Sequence, residues 1–346
     1  MMSGESPRFP YQKLIAAVAD SLVAAGVAED QARLEAEIMA EADLLEVPSH
    51  GVRMLPPLLQ ALREQRVNPQ PHIQTLREFA AICMLDADNG PGRFASWRAM
   101  QAAMARAEQF GVGLCVLAHA THWGRAHAYA SRAAQAGMIG LCTTNATPTM
   151  QAWGARKAVL GNNPLAIAIP GKNSDEPIVL DMAMSQAAVG KVGTWLREGK
   201  SLPEGWGVDA EGRPSTDAVA ILQGGAVSAM AGHKGMALSL MLEMLTGVLA
   251  GGLLCHEIGA QMQGGIETQS SKIFIAIKPD ALLDPVVFAE RRESLLTHLR
   301  EQASSPESAF LYPGERGWRA QASNLVVGVP LHHEIVAQLR AAGVAV

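Results

Sequence analysis

Cysteine is scarce in this 346-residue chain, and the four present, Cys83, Cys115, Cys142 and Cys255, stand far apart. No two have the spacing of metal ligands, and the scatter fits a reducing cytoplasm. MMSGESPRFPYQK has no apolar signal core, so no export is expected. Basic blocks are missing too: net charge is −5 and Lys/Arg runs stay short, which argues against a nucleic-acid partner. There is no internal repeat, low-complexity tract or heptad seam, so a solenoid or coiled coil is excluded. With 49% apolar and 18% charged residues, the chain can bury a substantial core and is not disordered. Its length points to two domains.

One long apolar run is present, MALSLMLEMLTGVLAGGLLC at 236–255. It is long enough to span a bilayer, but Glu243 sits near its middle, where charge is costly in lipid. The small residues and the Gly251-Gly252 stop suit a buried core helix, and no membrane span is expected.

Hydrophobic periodicity divides the rest. YQKLIAAVADSLVAAG and the run from Ala28 to Val47 place apolar residues three and four apart, as helices do, and GVRMLPPLLQALREQ continues in that style. From about residue 80 strands and helices mix. AAICMLDAD, VGLCVLAH, MIGLCTTN, LAIAIP, PIVLDMAM and SKIFIAIKP read as strands. SWRAMQAAMARAEQFG, GRAHAYASRAAQAG, SQAAVGKVGTWLREG, VVFAERRESLLTHLREQA and HHEIVAQLRAAG read as helices, and WGVDAEGRPSTD as a polar turn segment. The pattern predicts an α/β fold with helices contributed by both chain ends.

Several short stretches could carry chemistry. In NGPGRFA, Gly90, Gly92 and Ala95 match the dinucleotide fingerprint G-x-G-x-x-A. The fingerprint also needs an acid after the second strand, and that strand ends in His119, so the stretch reads as a tight turn. GHKG, with His233 and Lys234 before a long helix, could meet a phosphate with free amides and an ammonium group. HATHWGRAHAYA holds His119, His122 and His127 but lacks H-E-x-x-H and nearby acid or cysteine, so metal is not expected. His122 and Trp123 occupy a strand-to-helix turn, where open α/β sheets bind ligands. Asp181, at the end of VLDM, could accept from ribose hydroxyls or simply favour a helix start. Arg316, in YPGER, reads as a loop arginine. In SHGVRM, His50 can exchange protons near neutral pH, Ser49 can relay or orient, and Arg53 can clamp a carboxylate. A polar helix-turn cluster is the plainer reading of the same six residues, and a Ser-His-Asp hydrolase is disfavoured without a G-x-S-x-G elbow.

Taken in order, EADLLEVPSHGVRMLP, HATHWGRAHAYA, GNNPLAIAIP, VLDMAMS, VGKV, PEGWGVDAEGRPSTD, GHKGMALSLMLEML and YPGER resemble one family, the type-2 malate/L-lactate dehydrogenases. That family includes ureidoglycolate dehydrogenase, diketogulonate reductase, sulfolactate dehydrogenase and the piperideine-carboxylate reductases. The resemblance implies NAD or NADP as cofactor and a non-Rossmann NAD(P)-binding domain with a mixed sheet, 116–284. It implies a largely helical substrate and dimerisation domain from 1–115 and 285–346, and a homodimer acting on a small carboxylate. By motif, His50 is the implied proton donor and acceptor, with Ser49 as its relay partner. The cofactor residues so implied are His122, Trp123, Gly124, Asp181, Met182, Ala183, His233, Lys234, Gly314, Glu315 and Arg316. Asn162 falls where many members have a threonine near the substrate.

Two departures stand out. Many members place the substrate arginine four residues after the histidine; here that residue is Met54, and Arg53 precedes it. The resemblance also implies a catalytic place for Lys191: the imine-reducing branch carries an aspartate there that completes a proton relay, and the lysine favours the 2-oxo and 2-hydroxy acids over a cyclic imino acid. A metal enzyme built on the three histidines, and a non-catalytic binding protein, are the readings from other classes.

Overall fold

The computed structural model describes residues 6–261, 266–302 and 310–346. A short strand β1 (Arg8–Phe9) leads into helices α1 (Tyr11–Ala24), α2 (Glu29–Leu44) and α3 (Leu55–Arg63). Next come β2 (Gln74–Phe79), β3 (Ile82–Asp86), α4 (Gly92–Phe110), β4 (Val112–Ala120), α5 (His127–Gln135) and β5 (Ile139–Thr144). The middle of the chain forms β6 (Pro148–Gln151), β7 (Ala158–Gly161), β8 (Leu165–Ile169), β9 (Ile178–Met182) and α6 (Val189–Arg197). It continues with β10 (Gly207–Val208), β11 (Pro214–Ser215), α7 (Ala218–Leu222), β12 (Ala226–Val227), α8 (His233–Glu243), α9 (Cys255–Gln261) and β13 (Ser270–Ile277). The last elements are α10 (Pro285–Glu301), α11 (Glu315–Val327), β14 (Val329–Pro330) and α12 (His333–Ala341).

Three cores organise these elements. In α1, Leu14, Ile15, Val18 and Leu22 line one face and meet Ala36, Met39 and Ala40 of α2, while Val336 and Leu339 of α12 join from the other end of the chain. The pairing of β1 with β14 ties the two ends together. A second core packs α4 and α5 on a seven-stranded sheet of order β2-β3-β4-β13-β5-β8-β9. That sheet is mixed: β3 and β4 are parallel, and β13 is antiparallel to both β4 and β5. It runs unbroken across residue 115, which lies inside β4. The third core lies between α6, α7, α8 and a five-stranded sheet of order β11-β10-β12-β6-β7.

Four segments differ from the sequence expectation. Residues 206–217 hold the short pair β10 and β11, and the loop at YPGER opens directly into α11. The helix expected from residue 185 starts at Val189, because Ser185 is bridged to Ala229. The apolar helix is not buried all round. It runs as α8 and then a π-helical turn, Met244–Val248. Its inward stripe, Gly235, Ser239, Leu242, Glu243, Thr246 and Gly247, is small or polar apart from Leu242. Its outward stripe is apolar: Met241 is 51% exposed and Leu249 55%, and Leu240, Met244, Leu245 and Val248 are exposed on the same face. Glu243 explains the inversion. Its carboxylate accepts from the side-chain amides of Asn145 (3.2 Å) and Asn163 (3.0 Å) and from the Cys255 N–H (2.8 Å), so the helix turns its acid inward. No helix among the described residues is long and apolar enough to cross a membrane.

Candidate active site

Two turns meet beside α2. The first carries SHG. After α2 the backbone reverses at Glu46, with φ 58°, and forms two single 3₁₀ turns, Pro48–His50 and Val52–Met54. Asp43, still on α2, accepts the Val52 N–H at 2.7 Å. Its carboxylate occupies the space a side chain at Gly51 would need: a Cβ there would lie 2.1 Å from Oδ2. Gly51 has an ordinary φ of −85°, so close approach rather than backbone freedom requires the glycine. On the far side of the turn, Ser49 Oγ is 2.9 Å from His50 Nδ1, which leaves Nε2 free for a ligand.

The second turn, His122-Trp123-Gly124, joins β4 to α5. The His122 N–H donates to the Glu267 carbonyl at 2.9 Å, and its Nδ1 accepts the Gly124 N–H at 3.2 Å. The neutral ring therefore carries its proton on Nε2. Gly124 has φ 79°, and a Cβ there would sit 3.0 Å from Arg93 Nε, so both conformation and space demand glycine. Trp123 anchors the turn in the core. It is buried, stacks on Tyr129 at 5.1 Å, meets Phe274 edge-on at 5.8 Å, and its carbonyl accepts the Tyr129 hydroxyl. The rings of His50 and His122 lie nearly parallel, 14° apart in plane, with centroids 6.1 Å apart.

The surroundings are strongly cationic. Burial pushes His50 down to about 4, helped by the guanidinium groups of Arg125, Arg93 and Arg53. His122 is held well below its ordinary value by burial, then by Arg93, His50 and Lys272. Both rings are thus neutral at pH 7. Burial lifts Asp43 up to about 7 against the pull of the Val52 amide and of Arg125, Arg53 and Arg93. Asp181 is also raised by burial, although it faces Arg125 and accepts the His127 N–H at 3.1 Å, at the start of α5. Arg125 keeps Nε and Nη2 buried without a protein acceptor.

Next to this pair opens a cleft of about 900 Å³, lined by Ser49 and Arg53 from the SHG turn, Gly190 and Lys191 from α6, Arg316 from α11 and His332 and Glu334 beside them. Lys191 Nζ stands 5.0 Å from the Trp206 ring.

The sequence profile of the malate/L-lactate dehydrogenases matches residues 9–340. The chain belongs to this family. Its relatives include the malate dehydrogenase of Pyrococcus horikoshii, 31% identical over 340 residues, covering 96% of this chain and 93% of that one. The Δ1-pyrroline-2-carboxylate/Δ1-piperideine-2-carboxylate reductase of Pseudomonas putida is 33% identical over 313 residues, covering 90% of each. The solved structure of sulfolactate dehydrogenase from Methanocaldococcus jannaschii superposes with a TM-score of 0.89 at 30% identity, covering 97% of this chain and 96% of that one. The protein is therefore an oxidoreductase that works with a nicotinamide dinucleotide.

For this dehydrogenase the cleft fits such a cofactor: its volume is that of a large ligand site, and Lys191 and Arg316 on its wall are cations of the kind that meet phosphate oxygens. The other motif residues lie elsewhere. Met54 closes the second 3₁₀ turn behind Arg53. The Asn162 carbonyl accepts the Met184 N–H at 2.8 Å, and Met182 pairs with Leu165 at the end of β9, with Ala183 after it. Gly314 and Glu315 open α11; Glu315 accepts the Tyr312 N–H at 3.2 Å, and the Pro313 carbonyl accepts the Val179 N–H. His233 and Lys234 start α8 on the surface, with His233 against Trp153 at 5.9 Å, near a second cavity of about 370 Å³ lined by Trp153, Gln151 and Gln186. The three histidines of the 119–127 segment separate: His119 meets Asp86 at 3.1 Å, His122 faces His50, and His127 packs on Trp318 at 5.2 Å. Among the described residues no cluster is arranged to hold a metal ion. Asp43, Glu35 and Arg93 are the site-shaping groups that motif reading missed; an acid within an apolar helical stripe was the available signal.

Proposed function

We propose that this dehydrogenase interconverts a small 2-oxo acid and the corresponding 2-hydroxy acid, with His50 as proton donor and acceptor. The observation that carries this reading is the Ser49–His50 pair, stacked beside a neutral His122 with three guanidinium groups around it, and with Ser49 and Arg53 at the wall of the 900 Å³ cleft. The bound dinucleotide supplies or takes the hydride. Arg53 meets the substrate carboxylate from the cleft wall. In oxidation, neutral His50 accepts the hydroxyl proton at Nε2 while its Nδ1–H donates to Ser49 Oγ. In reduction, protonated His50 returns that proton to the carbonyl oxygen. His122 Nε2–H is a second donor to the same oxygen. An anionic substrate among Arg53, Arg93 and Arg125 offsets the positive field and raises the proton affinity of His50.

Lys191 and Arg316 hold the dinucleotide in this reading, whether NAD or NADP. Trp123 and Gly124 shape its turn, and Asp181, Met182, Ala183, His233, Lys234, Gly314 and Glu315 are assigned to it by family motif. Binding without a Rossmann unit is supported by the mixed order of the large sheet. The two chain ends form the helical unit that presents substrate groups, and 116–284 carries most cofactor groups, with the large sheet crossing between them. A second copy of the chain covers the apolar outward face of α8, making a homodimer; that face supports the reading because an exposed stripe of leucine, methionine and valine on a regular helix is a recognition surface. The free, buried cysteines suit the cytoplasm.

A panel of 2-oxo acids and one cyclic imine, each with NADH and with NADPH, tests the assignment on the native protein and on His50→Ala. The expected outcome is oxo-acid turnover that falls about 10²- to 10⁴-fold in the variant, with dinucleotide affinity retained. Equal turnover in His50→Ala, or activity confined to the imine, would reject it.

A further inference from the structure

The stretch NGPGR lies in the β3–α4–β4 unit, where parallel neighbours are joined by a helix. In a dinucleotide fingerprint the start of that helix receives a phosphate. Here it receives Glu35 of α2. Glu35 Oε1 accepts the Phe94 N–H at 2.7 Å, and Oε2 pairs with Arg93 at 3.3 Å, with side chains 0% and 2% exposed. The anion at this helix start belongs to the protein. From the ion pair Arg93 reaches on, its Nη2 donating to the His50 carbonyl at 3.5 Å and its Nε lying against Gly124. Thr121 Oγ1 donates to the Gly90 carbonyl at 2.8 Å and ties the NGPG turn to the His122 turn.

We propose that Arg93 is a positioning residue for hydride transfer: one buried guanidinium, countered by Glu35, fixes the His50 turn against the His122 turn and so sets the spacing of the two rings. The inference rests on the reading of those histidines as the reacting site. The cations facing His50 are Arg125, Arg93 and Arg53, with Asp43 behind the turn; those facing His122 are Arg93 and Lys272. Among them Arg93 acts on both rings, and Glu35 faces Arg93 itself.

Two variants separate geometry from charge. Arg93→Lys keeps the charge and loses the planar fork. Arg93→Gln combined with Glu35→Gln removes both charges, so that neither is left buried alone. For each, kcat and KM in both directions and the titration of His50 and His122 by NMR are measured on folded protein. Arg93→Lys is expected to lower kcat about 10- to 100-fold while the dinucleotide KM stays within about twofold. The double variant is expected to move both imidazole midpoints upward, because Arg93 holds both rings down while Glu35, on its far side, acts on neither. If the double variant does not fold, Arg93→Lys decides alone. Native kcat in Arg93→Lys, or activity loss in the double variant with both midpoints unmoved, would overturn the role. An inactive His50→Ala beside fully active Arg93 variants would sink this inference alone; an active His50→Ala would sink the site reading and this inference with it.

Discussion

Gly51→Ala is a one-carbon test of how the His50 turn is held. Alanine tolerates the native backbone there, φ −85° and ψ −152°, so any effect is steric. The new Cβ would lie 2.1, 2.3 and 2.4 Å from Oδ2, Cγ and Oδ1 of Asp43. Asp43 is 2% exposed on a packed helix, and its carboxylate must swing away from the Val52 N–H it now accepts at 2.7 Å. Losing a hydrogen bond to a carboxylate and leaving a buried group unpaired together cost about 3–4 kcal/mol. For a chain of this size that lowers Tm by about 4–6 °C. Because His50 is the adjacent residue, kcat falls about 100-fold with the displaced ring. Thermal unfolding and steady-state kinetics measure both. In Asp43→Ala/Gly51→Ala the obstruction is gone, so the pair is expected to cost at least about 1 kcal/mol less than the sum of the singles. A Gly51→Ala protein with native Tm and native kcat, or strict additivity in the double variant, would refute the packing argument.

Two further outcomes are expected. In hydroxy-acid oxidation His50 must be unprotonated, so kcat/KM stays level across neutrality and declines as pH falls through about 4; a decline centred near the ordinary histidine value would remove the role given to burial and the three guanidinium groups. Leu245→Glu, on the exposed face of α8, is expected to convert the proposed dimer to monomer in light scattering, and an unaltered mass would refute docking of a second copy on that face.

Much of the fold was legible because periodicity and burial agree in it. Leu14, Val18 and Leu22 repeat at helical spacing and face the core, and VGLCVLA is a continuous apolar run that lies mid-sheet as β4. Where burial departs from pattern, reading failed. β2, QTLREF, is exposed along its whole length and offers no alternation, and β6 and β7 are short and irregular in register. The run at 236–255 is helical as expected but is not the buried helix expected: one face lies open, and composition alone does not show that Glu243 turns inward to meet Asn145 and Asn163. Within the site, Ser49 and His50 are adjacent in sequence and meet at once. Glu35 and Arg93 lie in separate helices, and their meeting depends on how α2 crosses α4.

The placement of β13 also governs how the chain comes together as it is made. Lys272 is flanked by Leu117 on one side and Thr144 on the other, so the middle of the large sheet is filled by one of its last strands. During synthesis β4 and β5 emerge with facing edges open and wait for more than a hundred further residues before they are joined. Such distant pairings slow folding, and open edges are prone to mispair with other chains. A nascent chain halted before residue 270 would hold two unjoined half-sheets, so this protein is at its most aggregation-prone late in translation rather than early.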